Sequence, residues 1–404
     1  MASARRNTGT RFLIMLGLPS LGLTFAVTTL SAYLPDILHD LTNPIVIGLI
    51  IGAEGFFGLF MPIIFGGLSD RAKKVGGRLK YLVPAVICMA SALIIMGLIK
   101  SLWVIGMMVA VFYIGYYAYL APFWAIYPDL IPASYSGRSR SAESIWRGVG
   151  AVTALVGSGF LLSLWKPLPF IVSAGLVAGV TVLLSTILGK RLNQPVHKNE
   201  QSIRESFGQV WTILRQNPSI RNLVIANSLW NATLRSILAF TVLFFTVGLS
   251  RSHSFVSGVI FPVAAIGLVV MIPLAGKLAD SFGYLKVLTI AILIYGLGDI
   301  VPGITQRSWV IFIIPIVSGA AATVMVLPYA FLMRLLNNEA HGIASGLFGV
   351  SRGAGSFLGP LLTGIAISVG KNVFHSTHGY AAFWWAAGIY VLASLFFLRR
   401  IHEV

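Results

Sequence analysis

Three polar side chains recur on one face of an apolar stretch in the second half of the chain. Asn227, Asn231 and Arg235 stand at i, i+4 and i+8, which is the spacing of a single helix face. Amide and guanidinium groups can bind a polar solute in a cavity, and a lipid-facing helix does not tolerate them. The same groups can instead hydrogen-bond neighbouring helices to one another. The spacing predicts a substrate-lining face, with helix packing as the alternative.

Two further stretches add groups suited to a polyhydroxylated solute. Ser20, Thr24 and Thr28 lie 207 positions before Asn227, Asn231 and Arg235, respectively, and have the same spacing. This match favours a cavity face shared by two related helices. Residues 113–127 carry aromatic rings with polar edges, which suit sugars but also serve as packing and interfacial anchors. Among them we expect Tyr117 and Trp124 to contact substrate.

These side chains lie in apolar runs long enough to cross a membrane. The sequence is 57% hydrophobic and 10% charged, whereas a soluble chain is about 25% charged. About 20 apolar residues are needed to cross ~30 Å of hydrocarbon. Twelve such runs are predicted, at 12–34, 45–68, 81–99, 102–127, 141–164, 168–189, 220–248, 254–278, 285–304, 308–333, 343–369 and 377–398.

The distribution of Lys and Arg predicts the topology. With the N-terminus inside, 21 of the 29 lie in cytoplasmic segments, five in outer loops and three within spans. This asymmetry follows the positive-inside rule and predicts that both termini are cytoplasmic in a multi-pass plasma-membrane protein. It also explains the net charge of +17 without nucleic acid as a partner.

The chain divides into two related halves. The polar segment 190–219 separates an N-terminal six-helix bundle, 1–189, from a C-terminal one, 220–404. Matching features recur at offsets of 210, 205 and 206 positions: Asp70 with Asp280, residues 146–150 with 351–355, and Pro122 with Pro328. The predicted fold is therefore an all-α membrane protein with twelve transmembrane helices in two pseudo-symmetric bundles.

This organisation resembles the major facilitator transporters, whose halves are related by an axis along the membrane normal. Residues 66–80, GGLSDRAKKVGGRLK, are similar to the signature between the second and third helices of that superfamily. The resemblance implies a secondary transporter, a monomer in the lipid bilayer that binds a small-molecule solute and a coupling ion, with the proton expected. No Gly-Lys nucleotide loop is present, so an ion gradient and not ATP is expected to drive transport, and the protein is not expected to be an enzyme.

Within the superfamily, the hairpin also resembles the glycoside–pentoside–hexuronide symporters and the sucrose transporters. Melibiose-type members carry paired aspartates in the second helix as a cation site, whereas that span here has only Glu54. The residues that carry this resemblance are Pro62, Ile63, Ser69, Asp70, Arg71, Gly77 and Arg78, followed by residues 121–151.

The resemblance also implies cytoplasmic gates. In the superfamily, the residue corresponding to Asp70 meets the N-terminus of the eleventh helix, here near residues 342–346, whose free N–H groups suit an anion. Local pairing of Asp70 with Arg71 or Arg78 is the alternative. Asp280 is expected to act similarly towards residues 139–142.

Buried ionisable residues are functional candidates. In the superfamily the eleventh helix faces the second. A rise of about 1.5 Å per residue puts Arg352 and Glu54 at depths in their helices from which the two side chains can meet. The pair is predicted to couple protons to transport, with a purely structural ion pair as the alternative. Glu143 and Arg147, four residues apart near the cytoplasmic face, are predicted as a gate or structural pair. Asp299, near Arg307, is predicted as an outer gate.

The predicted function is proton-coupled symport of a glycoside or other polyhydroxylated solute. The alternative is a proton-coupled exporter of drugs or lipid-like amphiphiles. Drug antiporters carry a Gly-Pro motif in the fifth helix, but here Gly359–Pro360 lies in the eleventh span. No cofactor or metal site is expected, because Cys88 is the single cysteine and His375 and His378 have no further His or Cys nearby.

The topology can be tested by cysteine labelling. In a Cys88→Ser background, cysteines placed at positions 200 and 371 are expected to react with a membrane-impermeant maleimide from opposite sides of the membrane. Sealed right-side-out and inside-out vesicles give the measurement. Labelling of both positions from the same side would contradict the predicted topology.

Overall fold

A computed structural model describes residues 10–70, 72, 74–132, 135–189, 212–335 and 341–401. Within these residues, eleven helices have the length and apolar composition to cross a membrane, and a twelfth is apolar but shorter. A helix satisfies its own backbone hydrogen bonds, which hydrocarbon cannot do. The helices are α1 (Arg11–His39), α2 (Pro44–Ser69), α3 (Val75–Leu98), α4 (Leu102–Leu130), α5 (Ser136–Leu164), α6 (Leu168–Leu188), α7 (Pro218–Gly248), α8 (His253–Phe282), α9 (Tyr284–Ile304), α10 (Ser308–Leu335), α11 (His341–Gly370) and α12 (Ala382–Leu398).

The chain forms two compact units, with boundaries inside α1, inside α2 and between residues 200 and 201. One comprises residues 1–30 and 60–200, and the other comprises 31–59 and 201–404. In the first unit, α3 packs along α4 and α6, and the start of α1 packs against α5. A Cβ atom at Gly115 of α4 would lie 2.9 Å from the carbonyl oxygen of Ala85 on α3, so the two backbones are close. The division at 190–219 stays a prediction.

In the second unit, α7 lies along α11 and α12, α12 also packs on α9, and α10 packs on α8 and α9. Its apolar core includes the fully buried Trp230, Val324 and Val391. The Trp230 indole N–H donates to the Ser394 hydroxyl at 2.7 Å, because a buried indole needs an acceptor.

Glycines explain why the first part of α2 belongs to the second unit. Gly48, Gly52 and Gly55 of α2 lie directly against α11, and a Cβ atom at Gly52 would be 2.7 Å from the carbonyl oxygen of Phe357. Gly355 and Gly359 bring another face of α11 equally close to the α7 backbone. Small residues permit such close helix packing in membranes. Helix α11 is therefore held tightly by both α2 and α7.

Alanine substitutions in α2 test this packing. Gly55→Ala is expected to lower stability by roughly 1–3 kcal/mol, because its Cβ would overlap the α11 backbone. Gly66→Ala in the same helix is the matched control, since a Cβ there meets nothing within 4 Å. Thermal unfolding of the purified variants gives the comparison. Equal stability of the two variants would mean that α2 and α11 are packed less closely.

Candidate functional site

One carboxylate shared by two arginines lies among the helices of the second unit. The Nη2 of Arg235 on α7 donates a hydrogen bond to Glu54 Oε1 on α2. The Nη2 of Arg352 on α11 lies 3.8 Å from the same oxygen. The side chains of Glu54 and Arg235 are 4% and 11% exposed, and that of Arg352 is 36% exposed. This triad brings together the predicted pair, Glu54 and Arg352, and a residue predicted for another role.

The triad follows from the close packing of α11. Gly353 faces α2, and Gly355 faces α7, so Arg352 lies on a helix that approaches both of its partners closely. The buried Nε of Arg235 has no hydrogen-bond acceptor among the described residues. Buried polar groups are nearly always paired, so an unpaired guanidinium nitrogen marks this cluster as a ligand-site candidate.

The asparagines of the predicted polar face hydrogen-bond protein groups. Asn227 Nδ2 donates to the Ser351 hydroxyl of α11 at 2.6 Å, and Asn231 Nδ2 donates to the Asn227 carbonyl at 2.8 Å. Asn227 and Ser351 also border a small, partly open cavity, far smaller than the ~300–1,000 Å³ of typical drug-sized sites. These contacts match the helix-packing alternative, and the substrate role of the face stays a prediction.

The matching face of α1 is partly buried in the first unit. Ser20 and Thr28 are buried and Thr24 is half-buried. The neighbouring Thr29 hydroxyl lies 2.8 Å from that of Ser158 on α5. The sequence did not indicate this contact, because Thr29 is one residue off the predicted polar face.

The aromatic residues of α4 have structural partners. Trp124 Nε1 donates to Glu143 Oε1 at 2.9 Å, and Arg140 Nη1 donates to Glu143 Oε2 at 2.7 Å. Tyr117 is buried with its ring centroid 5.0 Å from that of Tyr116. Glu143 therefore contacts Trp124 of α4 and Arg140 of its own helix, which the sequence did not indicate, and its pairing with Arg147 stays a prediction.

Arg78 organises the hairpin between α2 and α3. Its Nε donates to Asp129 Oδ2 at 2.7 Å, and its Nη1 donates to Asp70 Oδ1 at 3.0 Å and to the Ser69 hydroxyl at 2.7 Å. Arg78 and the Asp129 carboxylate are buried. The structure thus contains the local Asp70–Arg78 pair left open above, while Arg71 lies outside the described residues. Asp129 was missed, although it is the single acidic residue near the cytoplasmic end of the fourth predicted span.

The corresponding hairpin of the second unit is held differently. Arg334 Nη2 donates to Asp280 Oδ1 at 2.8 Å, and the two side chains are 59% and 62% exposed. The Arg334 guanidinium also lies 4.2 Å from the centroid of the Tyr284 ring. The gating roles predicted for Asp70 and Asp280 stay predictions.

Asp299 is a buried carboxyl on α9. Its Oδ2 has no hydrogen-bond partner among the described residues, and neither does the buried Tyr295 hydroxyl one turn earlier. The sequence placed Asp299 near the outer end of its helix beside Arg307. Asp299 is buried in the second unit, and its role as an outer gate stays a prediction.

A second titratable cluster lies at the end of α1. Asp36 Oδ1 lies 2.9 Å from His253 Nε2, and the Tyr380 hydroxyl lies 2.9 Å from His39 Nδ1. Burial, followed by the charge of Asp36, raises the pKa of the Tyr380 hydroxyl. In the sequence, the only signal for this cluster is the i, i+3 spacing of Asp36 and His39, which places both on one helix face.

The family follows from comparison with known proteins. A family model described as Major Facilitator Superfamily matches residues 20–275 and 249–403. The chain belongs to the major facilitator superfamily. This confirms the resemblance to that superfamily and the predicted all-α membrane fold, and it makes the protein a secondary transporter and not an enzyme.

Several superfamily members are similar over most of this chain. The multidrug resistance protein MdtG of Citrobacter koseri is 27% identical over 83% of this chain and 82% of its own length, and MdtG of Salmonella arizonae is 26% identical over the same shares. Among solved structures, a variant of the nucleoside transporter NupG has a TM-score of 0.80 at 16% identity, covering 98% of this chain and 100% of that one. A bacterial homologue of the human lysosomal transporter Spinster has a TM-score of 0.76 at 18% identity, covering 97% and 95%. The structural likenesses show the fold alone.

Arg78 and Arg334, each paired with the aspartate of one hairpin of this superfamily member, give a matched test. Arg78→Gln is expected to cost roughly 3–5 kcal/mol, because it removes the charged partner of the buried Arg78–Asp129 ion pair. Arg334→Gln should cost less than about 1 kcal/mol, because its pair is exposed to solvent. The measurement is thermal or denaturant unfolding of the purified variants.

A double variant separates charge from packing. Adding Asp129→Asn to Arg78→Gln removes the unpaired charge and should recover much of the lost stability. No recovery, or equal losses in Arg78→Gln and Arg334→Gln, would contradict the role of Arg78 as the buried counter-ion.

Proposed function

We propose that this transporter exports amphiphilic, drug-like compounds by alternating access, driven by the proton gradient. The observation that carries the proposal is the similarity to multidrug resistance proteins along 83% of the chain. This similarity favours the exporter alternative over the glycoside symport predicted from the hairpin.

Contacts of the predicted sugar-binding groups support the same choice. The Trp124 indole N–H donates to Glu143, and Asn227 donates to Ser351, so two groups expected to bind hydroxyls already have partners. A sugar site needs several unpaired donors and acceptors that match its hydroxyls, because an unmatched buried polar group is costly. An amphiphile site needs fewer polar groups and more apolar surface.

Two carboxyls in the described membrane helices are candidates for carrying the coupling proton. Glu54, indicated by the sequence, is bound by Arg235 and lies near Arg352. Asp299 is buried, and its Oδ2 has no partner among the described residues. Intramembrane carboxyls of this kind form proton relays in pumps and transporters.

Transport in proteoliposomes tests the export proposal. We expect fluorescent amphiphiles to accumulate in an acidic lumen, in exchange for protons, and we expect no accumulation of radiolabelled sucrose or melibiose under either direction of the gradient. The amphiphile panel comprises anionic 1-anilinonaphthalene-8-sulfonate, neutral N-phenyl-1-naphthylamine and cationic ethidium. Sugar accumulation driven by an acidic exterior, without amphiphile transport, would overturn the proposal.

Variants of the two carboxyls identify the proton carrier. The variant that lacks the carrier should lose gradient-driven accumulation but keep exchange of labelled for unlabelled amphiphile. Asp299→Asn and Glu54→Gln are compared for this phenotype, with Asp40→Asn as the exposed carboxyl control. Full gradient-driven transport by both variants would exclude both carboxyls as carriers.

A further inference from the structure

The triad has more positive than negative charge. Arginine side chains stay charged in proteins, so Arg235 and Arg352 bring two cations to the single carboxylate of Glu54. Of the other acidic residues described in the second unit, Asp36 contacts His253 and Asp280 contacts Arg334. Asp40 follows α1, and Asp299 lies on α9. The triad itself therefore carries one more positive charge than negative.

We propose that Arg235 and Arg352 bind an anionic group of the exported amphiphile, and that Glu54 is the internal counter-ion that this group displaces. The proposal rests on the proposed function, and it adds the charge class of the cargo. Carboxylate, sulfonate and phosphate groups share the required chemistry, because each presents oxygens to the planar fork of a guanidinium.

The donor arrangement supports an anion as the ligand. Each guanidinium has about five N–H donors, whereas one carboxylate offers about four acceptor sites. The Arg235 Nε–H is buried without an acceptor among the described residues. The Arg352 side chain, whose Nη2 lies 3.8 Å from Glu54 Oε1, is 36% exposed, so a ligand can reach it.

The position of the triad also suits a ligand that must be taken up and released. Its three members come from α2, α7 and α11, so the site depends on the packing of separate helices. Glu54 gives the arginines a partner when cargo is absent, because unpaired charges among membrane helices are costly. An anionic cargo takes the place of Glu54 without leaving either arginine unpaired.

Binding of two dyes that share an aromatic skeleton tests the proposal. 1-Anilinonaphthalene-8-sulfonate carries a sulfonate that N-phenyl-1-naphthylamine lacks. With the full-length protein in lipid nanodiscs, we expect saturable fluorescence enhancement with a dissociation constant at least tenfold lower for the sulfonate dye. Empty nanodiscs give the lipid background for both dyes.

Variants attribute this preference to the triad. Arg235→Gln and Arg352→Gln should each weaken binding of the sulfonate dye about tenfold or more, since a charge-assisted hydrogen bond is lost, and change binding of the neutral dye less than about twofold. Arg352→Lys keeps the charge and should retain part of the preference. Glu54→Gln removes the internal competitor and should tighten sulfonate binding about fivefold. Arg251→Gln, at an exposed arginine of the same unit, is the control and should change neither value.

Each outcome decides the proposal. Equal affinity for the two dyes, equal weakening of both dyes in the arginine variants, or weaker sulfonate binding in Glu54→Gln would overturn it. If Arg235→Gln fails to fold, the Glu54→Gln and Arg352→Gln results decide. Sulfonate preference without proton-driven efflux would refute the export proposal but keep the anion site. Efflux of neutral or cationic dyes, combined with dye affinities that the arginine substitutions do not change, would refute the anion site but keep the export proposal.

Discussion

The structure of the second unit depends on the pairing of charged side chains inside a bundle of membrane helices. A carboxylate and two guanidinium groups are stable there only when they meet, because lipid offers no hydrogen bonds to replace water. Glu54, Arg235 and Arg352 come from three helices, so their contact requires α2, α7 and α11 to lie close together. The glycines of α2 and α11 allow that approach, and few other residues fit where a Cβ would overlap a neighbouring backbone. The charged triad therefore requires close packing of α2, α7 and α11, and the glycines make that packing possible.

The charges of the triad also determine whether a proton on Glu54 favours or opposes the binding of an anionic cargo. A proton on Glu54 and an anion on the arginines both end the pairing of Glu54, so each event favours the other. An antiporter needs the opposite relation, in which proton and cargo exclude one another. With an anionic cargo, Glu54 is better suited to be the counter-ion, and Asp299 is the carboxyl better suited to carry the proton. Asp299 lies on α9, a helix that contributes nothing to the triad, so its proton would act on the cargo through the conformation of the unit.

Sequence patterns predicted the helices well and the side-chain partners only in part. Hydrophobic runs sufficed for the fold, since each span is determined locally by about 20 apolar residues. The positions of Glu54 and Arg352 along their helices predicted that the two side chains are within reach of each other. In the structure, Arg352 Nη2 lies 3.8 Å from Glu54 Oε1. The regular spacing of Arg235 with Asn227 and Asn231 suggested a common role, although Arg235 contacts Glu54 and the asparagines bond to one another and to Ser351. Spacing identifies a shared face, but it does not identify what packs against it. The pairing of Arg78 with Asp129, 51 residues away, depends on helix packing in the same way.

The two related hairpins show how duplication can preserve a position while changing its chemistry. Asp70 and Asp280 are 210 residues apart, and Asp129 and Arg334 are separated by 205, close to the offsets that relate the halves. In the first unit, the buried Arg78 lies between Asp70 and Asp129. In the second unit, the cation is Arg334, at the position that corresponds to Asp129 of the first unit. A buried pair is little screened by salt, while an exposed pair contributes little and is screened within about 10 Å at moderate ionic strength. The hairpin of the first unit is thus held firmly, and that of the second unit can separate at small cost. Rearrangement at the ends of α8 and α10 that carry Asp280 and Arg334 therefore needs less energy than rearrangement at the ends of α2 and α4 that carry Asp70 and Asp129.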